Sequence, residues 1–371
     1  MTDLAYRPFG AFRLLLAVKV LQQHFLANLA PAGLAQAAQP YEIGSVSVLV
    51  FFALSGFVIC EAADRVYGGR PGAFLANRLL RIVPLFVAAT VLAIAVCWLF
   101  HALGTLRLDR SGAGLPAGAL SARNLALNLL GFLPFSNVAA TFNLVPVAWA
   151  VRLEMLFYLA VAVALGLSWL ARRLDRPAWT FARTSLAVAA LSAPLFVLAV
   201  LRRLPETFAL APYFWFGGAL YFAVAGRSRG AAAVVAVSLG AIVWEFAARP
   251  GQHSGLGFER AVAVQFALLL GLLAAIAGLA RLRIGGLART DRALGDLTYA
   301  LYLSHCAVMV AVLSVTTGFT LPGYLAGLAL GVPVALGLHR LIEPAVDRAR
   351  DAIRGGRLRL PAGGTRVPLR S

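Results

Sequence analysis

The strongest constraint on this chain is a series of apolar stretches of about 20 residues that recurs along its length. A helix of that length crosses the hydrocarbon core of a bilayer, and its repetition is typical of a polytopic membrane protein. Composition agrees, because 61% of residues are hydrophobic, 13% are charged and the mean hydropathy is +0.83. The sequence predicts an all-α integral membrane protein with about ten transmembrane helices: 10–30, 43–62, 82–101, 146–170, 184–201, 208–226, 230–248, 260–280, 294–315 and 322–342.

The distribution of charge predicts how the chain is oriented in the membrane. Most of the 33 Lys and Arg residues fall in segments that would share one side if the N-terminus is cytoplasmic. This positive-inside pattern predicts an N-in/C-in topology with an even number of spans. Although the net charge is +18, the basic residues form no stripe on a soluble module, so we expect no nucleic-acid partner.

The chain divides into one membrane domain, residues 1–345, and a basic tail, residues 346–371. We expect the Arg-, Gly- and Pro-rich tail to be disordered and to lie near anionic headgroups on the cytoplasmic side. The longest external connection, residues 102–145, has an apolar but short second half. This half is predicted to be a re-entrant or interfacial helix.

The three cysteines, Cys60, Cys97 and Cys306, all lie in apolar segments. Buried free thiols that pack as small hydrophobic groups are the default for such positions. Their spacing matches neither a disulfide framework nor a metal motif, so we expect no metal cofactor.

The first span carries two costly polar residues, Arg13 and His24, eleven positions apart. Eleven residues are close to three helical turns, so both side chains project from one face, about 16 Å apart along the axis. Ionisable groups inside a membrane span usually mark a site. The sequence therefore predicts a functional face on this helix.

Two further polar residues are placed by their depth in the membrane. Glu154 is predicted at a depth similar to that of His24, where its carboxylate would orient the imidazole and raise its basicity. His305 lies near the middle of its span. For His305 an interhelical hydrogen bond is as consistent with the sequence as a role in a site.

Six short patterns, in order along the chain, resemble the signature of the acyltransferase family 3 of membrane O-acyltransferases, in the form that lacks a C-terminal SGNH domain. Each is weak alone, but their shared order is specific. They are Arg13-x10-His24; FFALSGF at 51–57; Arg78, Arg81 and Pro84; Trp149, Glu154, Phe157 and Tyr158; Thr298, Tyr299, Tyr302, Leu303 and His305; and Glu343 in LIEPA.

The resemblance implies an acyl-CoA donor, with acetyl-CoA expected, on the cytoplasmic side of the cell inner membrane. It implies an outward-facing acceptor, a hydroxyl of a cell-envelope glycan or glycolipid. His24 and Glu154 would be catalytic, and guanidinium groups would hold the donor phosphates. The donor-binding residues would be Arg13, Arg78 and Arg81, and the substrate-contacting or supporting residues would be Trp149, Tyr158, Tyr299, Tyr302, His305 and Glu343.

Several alternatives stay open at this point. His24 is either a general base or a transient acyl carrier. A separate esterase-like or glycan-assembly protein is a further candidate partner. A transporter or flippase for a lipid-linked sugar is the alternative function, although the repeated halves typical of transporters are not evident. A structural membrane subunit would leave the six ordered patterns unexplained.

Overall fold

The computed structural model describes residues 7–38, 41–134, 142–176, 178–248, 259–316 and 318–354. All regular secondary structure in these ranges is helical, which confirms the predicted fold class. A short 3-10 helix, Glu206–Leu210, leads into the eighth α-helix. The α-helices are α1 (Phe9–Asn28), α2 (Ala32–Ala38), α3 (Ile43–Val66), α4 (Pro71–Ala102), α5 (Ala122–Leu129), α6 (Ala148–Arg173), α7 (Phe181–Val200), α8 (Ala211–Val224), α9 (Ala231–Ala248), α10 (Glu259–Leu279), α11 (Ala288–Val315) and α12 (Leu321–Arg354).

Nine helices in the described ranges are long and apolar enough to cross a membrane, whereas ten spans were predicted. The one outside this group is α1, whose 20 residues reach about 30 Å but include several polar side chains. Helix α1 nevertheless belongs to the helical bundle, because it packs against α11 and α3. The orientation of the termini stays a prediction.

Several helices extend beyond the predicted spans. Helix α4 begins at Pro71 rather than near residue 82, so Arg78 and Arg81 lie within a helix and not in a loop. Hydropathy misses the first turns of this helix because arginine is polar but still a good helix former. Helix α12 likewise continues through Arg354, past the predicted tail boundary at 345. The rest of the predicted tail, residues 355–371, lies outside the described residues.

The helices differ in how far they face the protein or the surroundings. The apolar windows of α3 and α11 are 72% and 83% buried within the protein, against 22% for α10 and 17% for α12. Yet α10 is more apolar than α11, with a mean hydropathy of 2.4 against 1.7. Lipid-facing and protein-facing surfaces are both apolar, so hydropathy alone does not distinguish the centre of the bundle from its rim.

Two glycines set the close approach of α3 and α8. A Cβ on Gly56 would overlap the carbonyl group of Phe214, and one on Gly217 would overlap that of Ala53. Small residues at such contacts let helix backbones approach closely, which is a common packing device in membranes. The glycine of the FFALSGF pattern therefore has a packing role in this fold.

Helix α1 is anchored at its start by α11. The carboxylate of Asp291 accepts hydrogen bonds from the backbone N–H groups of Gly10 (2.7 Å) and Ala11 (2.8 Å). These donors have no partner within the helix, and a negative charge at a helix N-terminus is favourable. Gly10 is required because a Cβ there would overlap the Asp291 backbone. The Asp291 contact thus sets the position of the helix that carries Arg13 and His24.

A second anchor precedes α1. The side chain of Arg7 pairs with Glu61 of α3 and donates a hydrogen bond to the carbonyl of Ala280 (2.8 Å). Burial, followed by repulsion from Arg283 and Arg65, lowers the pKa of Arg7 to about 10. The group therefore keeps its charge at neutral pH, and the ion pair ties the start of α1 to its neighbours.

The described part of the connection between α4 and α6 packs against α4 through α5. Ser121 caps the start of α5, because its side chain accepts a hydrogen bond from the backbone N–H of Asn124, consistent with the predicted short helix. The buried side chains of Asn124 and Asn128 then bond the backbone of Phe142 and Leu144. These bonds hold the segment that enters α6.

Candidate active site

His24 and His305 form a buried pair between α1 and α11. His24 Nδ1 lies 3.0 Å from His305 Nε2, and the ring centroids are 4.9 Å apart. His305 is fully buried, whereas His24 keeps partial exposure. Of the two roles left open for His305, the structure shows the interhelical hydrogen bond, and it places that bond on the predicted catalytic residue.

The hydrogen bonds around this pair assign its tautomers. His305 Nδ1 lies 2.7 Å from the backbone carbonyl of Tyr302, which can only accept, so the neutral imidazole carries its proton on Nδ1. Its Nε2 is then an acceptor and must receive the bond from His24 Nδ1–H. His24 Nε2 is left with an unprotonated lone pair, which is the form needed by a base or a nucleophile.

Cys306 completes this group. Its Sγ lies 3.4 Å from His305 Nε2 and 3.9 Å from His24 Nδ1. The thiol is buried, as predicted for all three cysteines. Its proximity to His24 was not anticipated, since the only sequence signal was its position directly after His305.

Glu154 has different partners from the one predicted. The depth argument paired it with His24, but its carboxylate accepts a hydrogen bond from Tyr158 Oη at 2.8 Å, with Ser55 Oγ at 3.5 Å. Its position one turn before Tyr158 on α6 brings these two side chains together. Similar depth does not ensure contact, because the rotation of each helix decides where a side chain points. His305 occupies the place that we assigned to Glu154.

A cavity of about 500 Å³ opens beside His24. Polar groups and two large aromatic side chains, Trp149 and Tyr302, interrupt its otherwise apolar walls. Trp149 is 39% exposed and packs edge-on against Phe52, at 5.8 Å between centroids. The polar or aromatic lining residues are Gln23, His24, Ser45, Trp149, Arg152, Glu206, Thr207, Glu245 and Tyr302.

Sequence reasoning did not assign Arg152, Glu206 and Glu245 to this site. The guanidinium of Arg152 donates to the carbonyl of Gly131 (3.1 Å), and Tyr213 Oη donates to the carboxylate of Glu245 (3.1 Å). Intramembrane charge was the available signal for Arg152 and Glu245. The presence of a charge in a span does not predict which cavity Arg152 and Glu245 would line.

A second, smaller cavity of about 60 Å³ lies along the same helices. It is lined by Arg13, Ser55, Glu154 and Tyr299, among others, and it shares Val48 and Tyr302 with the cavity at His24. Tyr302 Oη donates to the carbonyl of Val147 (3.1 Å), which fixes the side chain between the two spaces. Arg13 and His24, which lie on one helix, therefore line neighbouring cavities.

The three predicted donor-binding arginines form a cluster at the Arg13 end. Arg81 interacts electrostatically with both Arg13 and Arg78. Within the described part of the chain none of the three forms a salt bridge. Arg78 lies near the faces of Phe74 and Tyr158, at 5.6 and 5.9 Å, and its buried Nε has no hydrogen-bond partner.

The surroundings of this arginine cluster are mixed. Glu154 and Asp296 interact electrostatically with Arg13 and Arg81, and the buried Tyr299 hydroxyl has no hydrogen-bond partner. Glu343 also interacts with Arg81, but its ion pair is with Arg350, at 3.8 Å. Glu343 therefore lies at the edge of the cluster. Three neighbouring guanidinium groups without direct ion pairs suit a multiply charged anion.

One comparison with known proteins identifies the family. A family model described as an acyltransferase domain, acyltransferase family 3, matches residues 10–340. Neither a curated protein nor a solved structure matches the sequence. The matched range includes every residue of the two cavities. The chain is a multi-pass membrane protein that belongs to the acyltransferase family 3.

Proposed function

We propose that this protein moves an acyl group, acetyl in the first instance, from cytoplasmic acyl-CoA to a hydroxyl of a cell-envelope glycan or glycolipid. The observation that carries the proposal is the pair of adjoining cavities, with the arginine cluster at one and the unprotonated His24 Nε2 at the other. Arg13, in the arginine cluster, and His24 both lie on one helix, α1.

Charge and length support a donor at the Arg13 end. Coenzyme A has an anionic nucleotide end and a long, thin pantetheine arm. Arg13, Arg78 and Arg81 would hold the phosphates, and the unsatisfied Arg78 Nε and Tyr299 Oη are donors available to them. The arm would then run about 16 Å along α1, past Tyr302, and present its thioester to His24.

The chemical step uses the His24 tautomer inferred from its hydrogen bonds. His24 Nε2 removes the proton from the acceptor hydroxyl as the hydroxyl oxygen attacks the thioester carbonyl. The carbon–sulfur bond then breaks, and His24 returns the proton to the departing thiolate. His305 positions the ring throughout by accepting from Nδ1–H. A transient acyl-histidine on Nε2 uses the same lone pair and is the other route.

Glu154 and Tyr158 have a supporting role in this scheme. The Tyr158–Glu154 hydrogen bond places a carboxylate in the small cavity beside Arg13. That carboxylate would hold the Arg13 side chain toward the passing donor rather than act on the acceptor. Glu154 would therefore belong to the donor path and not to the acid–base pair.

The acceptor fits the larger cavity. A partly exposed tryptophan beside carboxylates and a guanidinium suits a sugar, which offers apolar C–H surfaces and many hydroxyls. Trp149, Arg152, Glu206 and Glu245 supply these groups next to His24. The acyl group would cross the membrane at this site while the charged nucleotide stays on the cytoplasmic side of the cell inner membrane.

The test is acyl transfer in inside-out vesicles supplied with radiolabelled acetyl-CoA. We expect label in a glycan or lipid fraction with the wild-type protein and the His101→Ala control, whose histidine is exposed at the end of α4, but not with His24→Ala. Full labelling by a folded His24→Ala protein would refute the role of His24. A transporter would instead leave the thioester intact, which is measured as the absence of free thiol.

A further inference from the structure

Three metal-ligating side chains meet between α1 and α11, although the sequence predicted no metal site. His24, His305 and Cys306 each offer one atom, and all three atoms lie within 4.8 Å of one another. His24 and His305 are 281 positions apart, so no ligand spacing was visible in the sequence. From this convergence we propose that His24 Nδ1, His305 Nε2 and Cys306 Sγ form a Zn²⁺ site that shuts off the active histidine.

The distances fit a tetrahedral ion. With Zn–N bonds of about 2.0–2.1 Å and a Zn–S bond of about 2.3 Å, ligand atoms in a tetrahedron are about 3.3–3.6 Å apart. The observed separations are 3.0 Å between the nitrogens and 3.4 and 3.9 Å from the sulfur. Shifts of a few tenths of an ångström would place all three around one ion.

The surroundings also suit zinc. His305 Nδ1–H donates to the Tyr302 carbonyl, and this is the type of outer contact that fixes a histidine ligand with its lone pair toward a metal. Two imidazoles and a thiolate form a donor set that binds zinc in preference to magnesium or calcium. His24 lines the 500 Å³ cavity, which provides a route for the ion and room for a water in the fourth position. Arg152 lines the same cavity and would repel a cation, but the carboxyl groups of Glu206 and Glu245 also line it and would attract one.

Zinc binding would change the protons on all three side chains in a defined way. Cys306 loses its thiol proton to solvent. His24 must present a lone pair on Nδ1, so its ring proton moves from Nδ1 to Nε2, and the direct bond to His305 is replaced by the metal. His24 Nε2 then has no lone pair for the acceptor hydroxyl. The resulting inhibition rests on the proposed function, whereas zinc binding itself does not.

The experiment measures bound zinc first and inhibition second. Purified, chelator-treated protein in lipid nanodiscs is incubated with Zn²⁺, desalted and analysed for metal per chain. We expect about one more zinc in the wild-type protein than in Cys306→Ser, and the wild-type value in Cys97→Ala, which removes a different buried thiol. With Co²⁺ in place of zinc, a thiolate charge-transfer band should appear in wild type and Cys97→Ala but not in Cys306→Ser. Equal metal content and equal spectra in wild type and Cys306→Ser would overturn the site.

Inhibition is then measured on each variant relative to its own zinc-free rate. We expect Cys306→Ser to need at least about 10-fold more Zn²⁺ for half-inhibition, since even loss of an outer-shell partner costs roughly 10–100-fold in metal affinity. Equal half-inhibition would overturn the link between this site and catalysis. If no acyl transfer is detected at all, the proposed function fails, and metal content and the cobalt spectrum still decide the site.

Discussion

The two ends of the predicted functional face of α1, at Arg13 and at His24, differ in charge and in how far their hydrogen bonds are satisfied. At the Arg13 end, three cations lie near one another without direct ion pairs in the described residues, and buried donors are unsatisfied. At the His24 end, neutral groups satisfy one another in a chain from the Tyr302 carbonyl through His305 to His24. Under the proposed function, the Arg13 end would bind the charged donor, whereas the His24 end would carry out proton transfer.

The largest expected effect is that of a substitution at His24, which should change kcat and not the KM for the donor. We expect His24→Ala to lower kcat by about 10²–10⁴-fold, because general base catalysis contributes that much, and to leave the KM for acyl-CoA nearly unchanged. Initial rates over a range of donor concentrations measure both constants. A raised KM with a normal kcat would show that His24 binds the donor and would remove the distinction between the ends.

The converse is expected at Arg13. Removal of a charge-assisted hydrogen bond costs about 1.5–3 kcal/mol, so Arg13→Ala should raise the KM for acyl-CoA by roughly 10–100-fold. Arg13→Lys should show a smaller rise in KM, because lysine keeps the positive charge but cannot form the two parallel hydrogen bonds of a guanidinium. Arg123→Ala, on the exposed face of α5, is the control and should behave as wild type. A fall in kcat alone for Arg13→Ala would contradict the assignment.

A packing change should not distinguish the two ends. Gly217→Ala forces a Cβ into the Ala53 carbonyl at the α3–α8 contact, and overpacking of this kind costs about 1–3 kcal/mol. Because residues of α3 line both cavities, we expect a lower melting temperature in detergent together with a loss of total activity. Gly240→Ala on α9 is the matched control, since nothing lies within 4 Å of its added Cβ. Equal melting of the two variants would show that the contact is not required.

The smallest expected effect returns to the Arg13 end. Asp291→Ala removes the carboxylate that binds the first N–H groups of α1, and loss of such a cap costs about 1 kcal/mol. Since Arg13 lies one turn from this anchor, we expect a few-fold rise in the KM for acyl-CoA with little change in kcat. Asp291→Asn should be intermediate, because it retains an acceptor but not the charge. A change confined to kcat would indicate that the anchor acts on His24 instead.

Much of the candidate site could be predicted because it lies on one helix. The spacing of Arg13 and His24 determines their shared face whatever the neighbours are, and both residues do line adjoining cavities. Glu154 shows where this reasoning stops. Its depth was predicted to match that of His24, but the rotation of α6 relative to α1 was not encoded in any local pattern, and its partners are Tyr158 and Ser55.

The sequence by itself determined that the chain is an all-helical membrane protein and that Arg13 and His24 share a face, since both follow from local apolar length and helical periodicity. Only the tertiary structure decided that His24 meets His305 and Cys306, that Asp291 anchors α1, and that α3 and α11 lie inside while α10 and α12 face outward. The physical reason is that lipid and protein interiors are equally apolar. The choice of neighbours therefore depends on backbone fit and a few polar contacts between residues far apart in the chain.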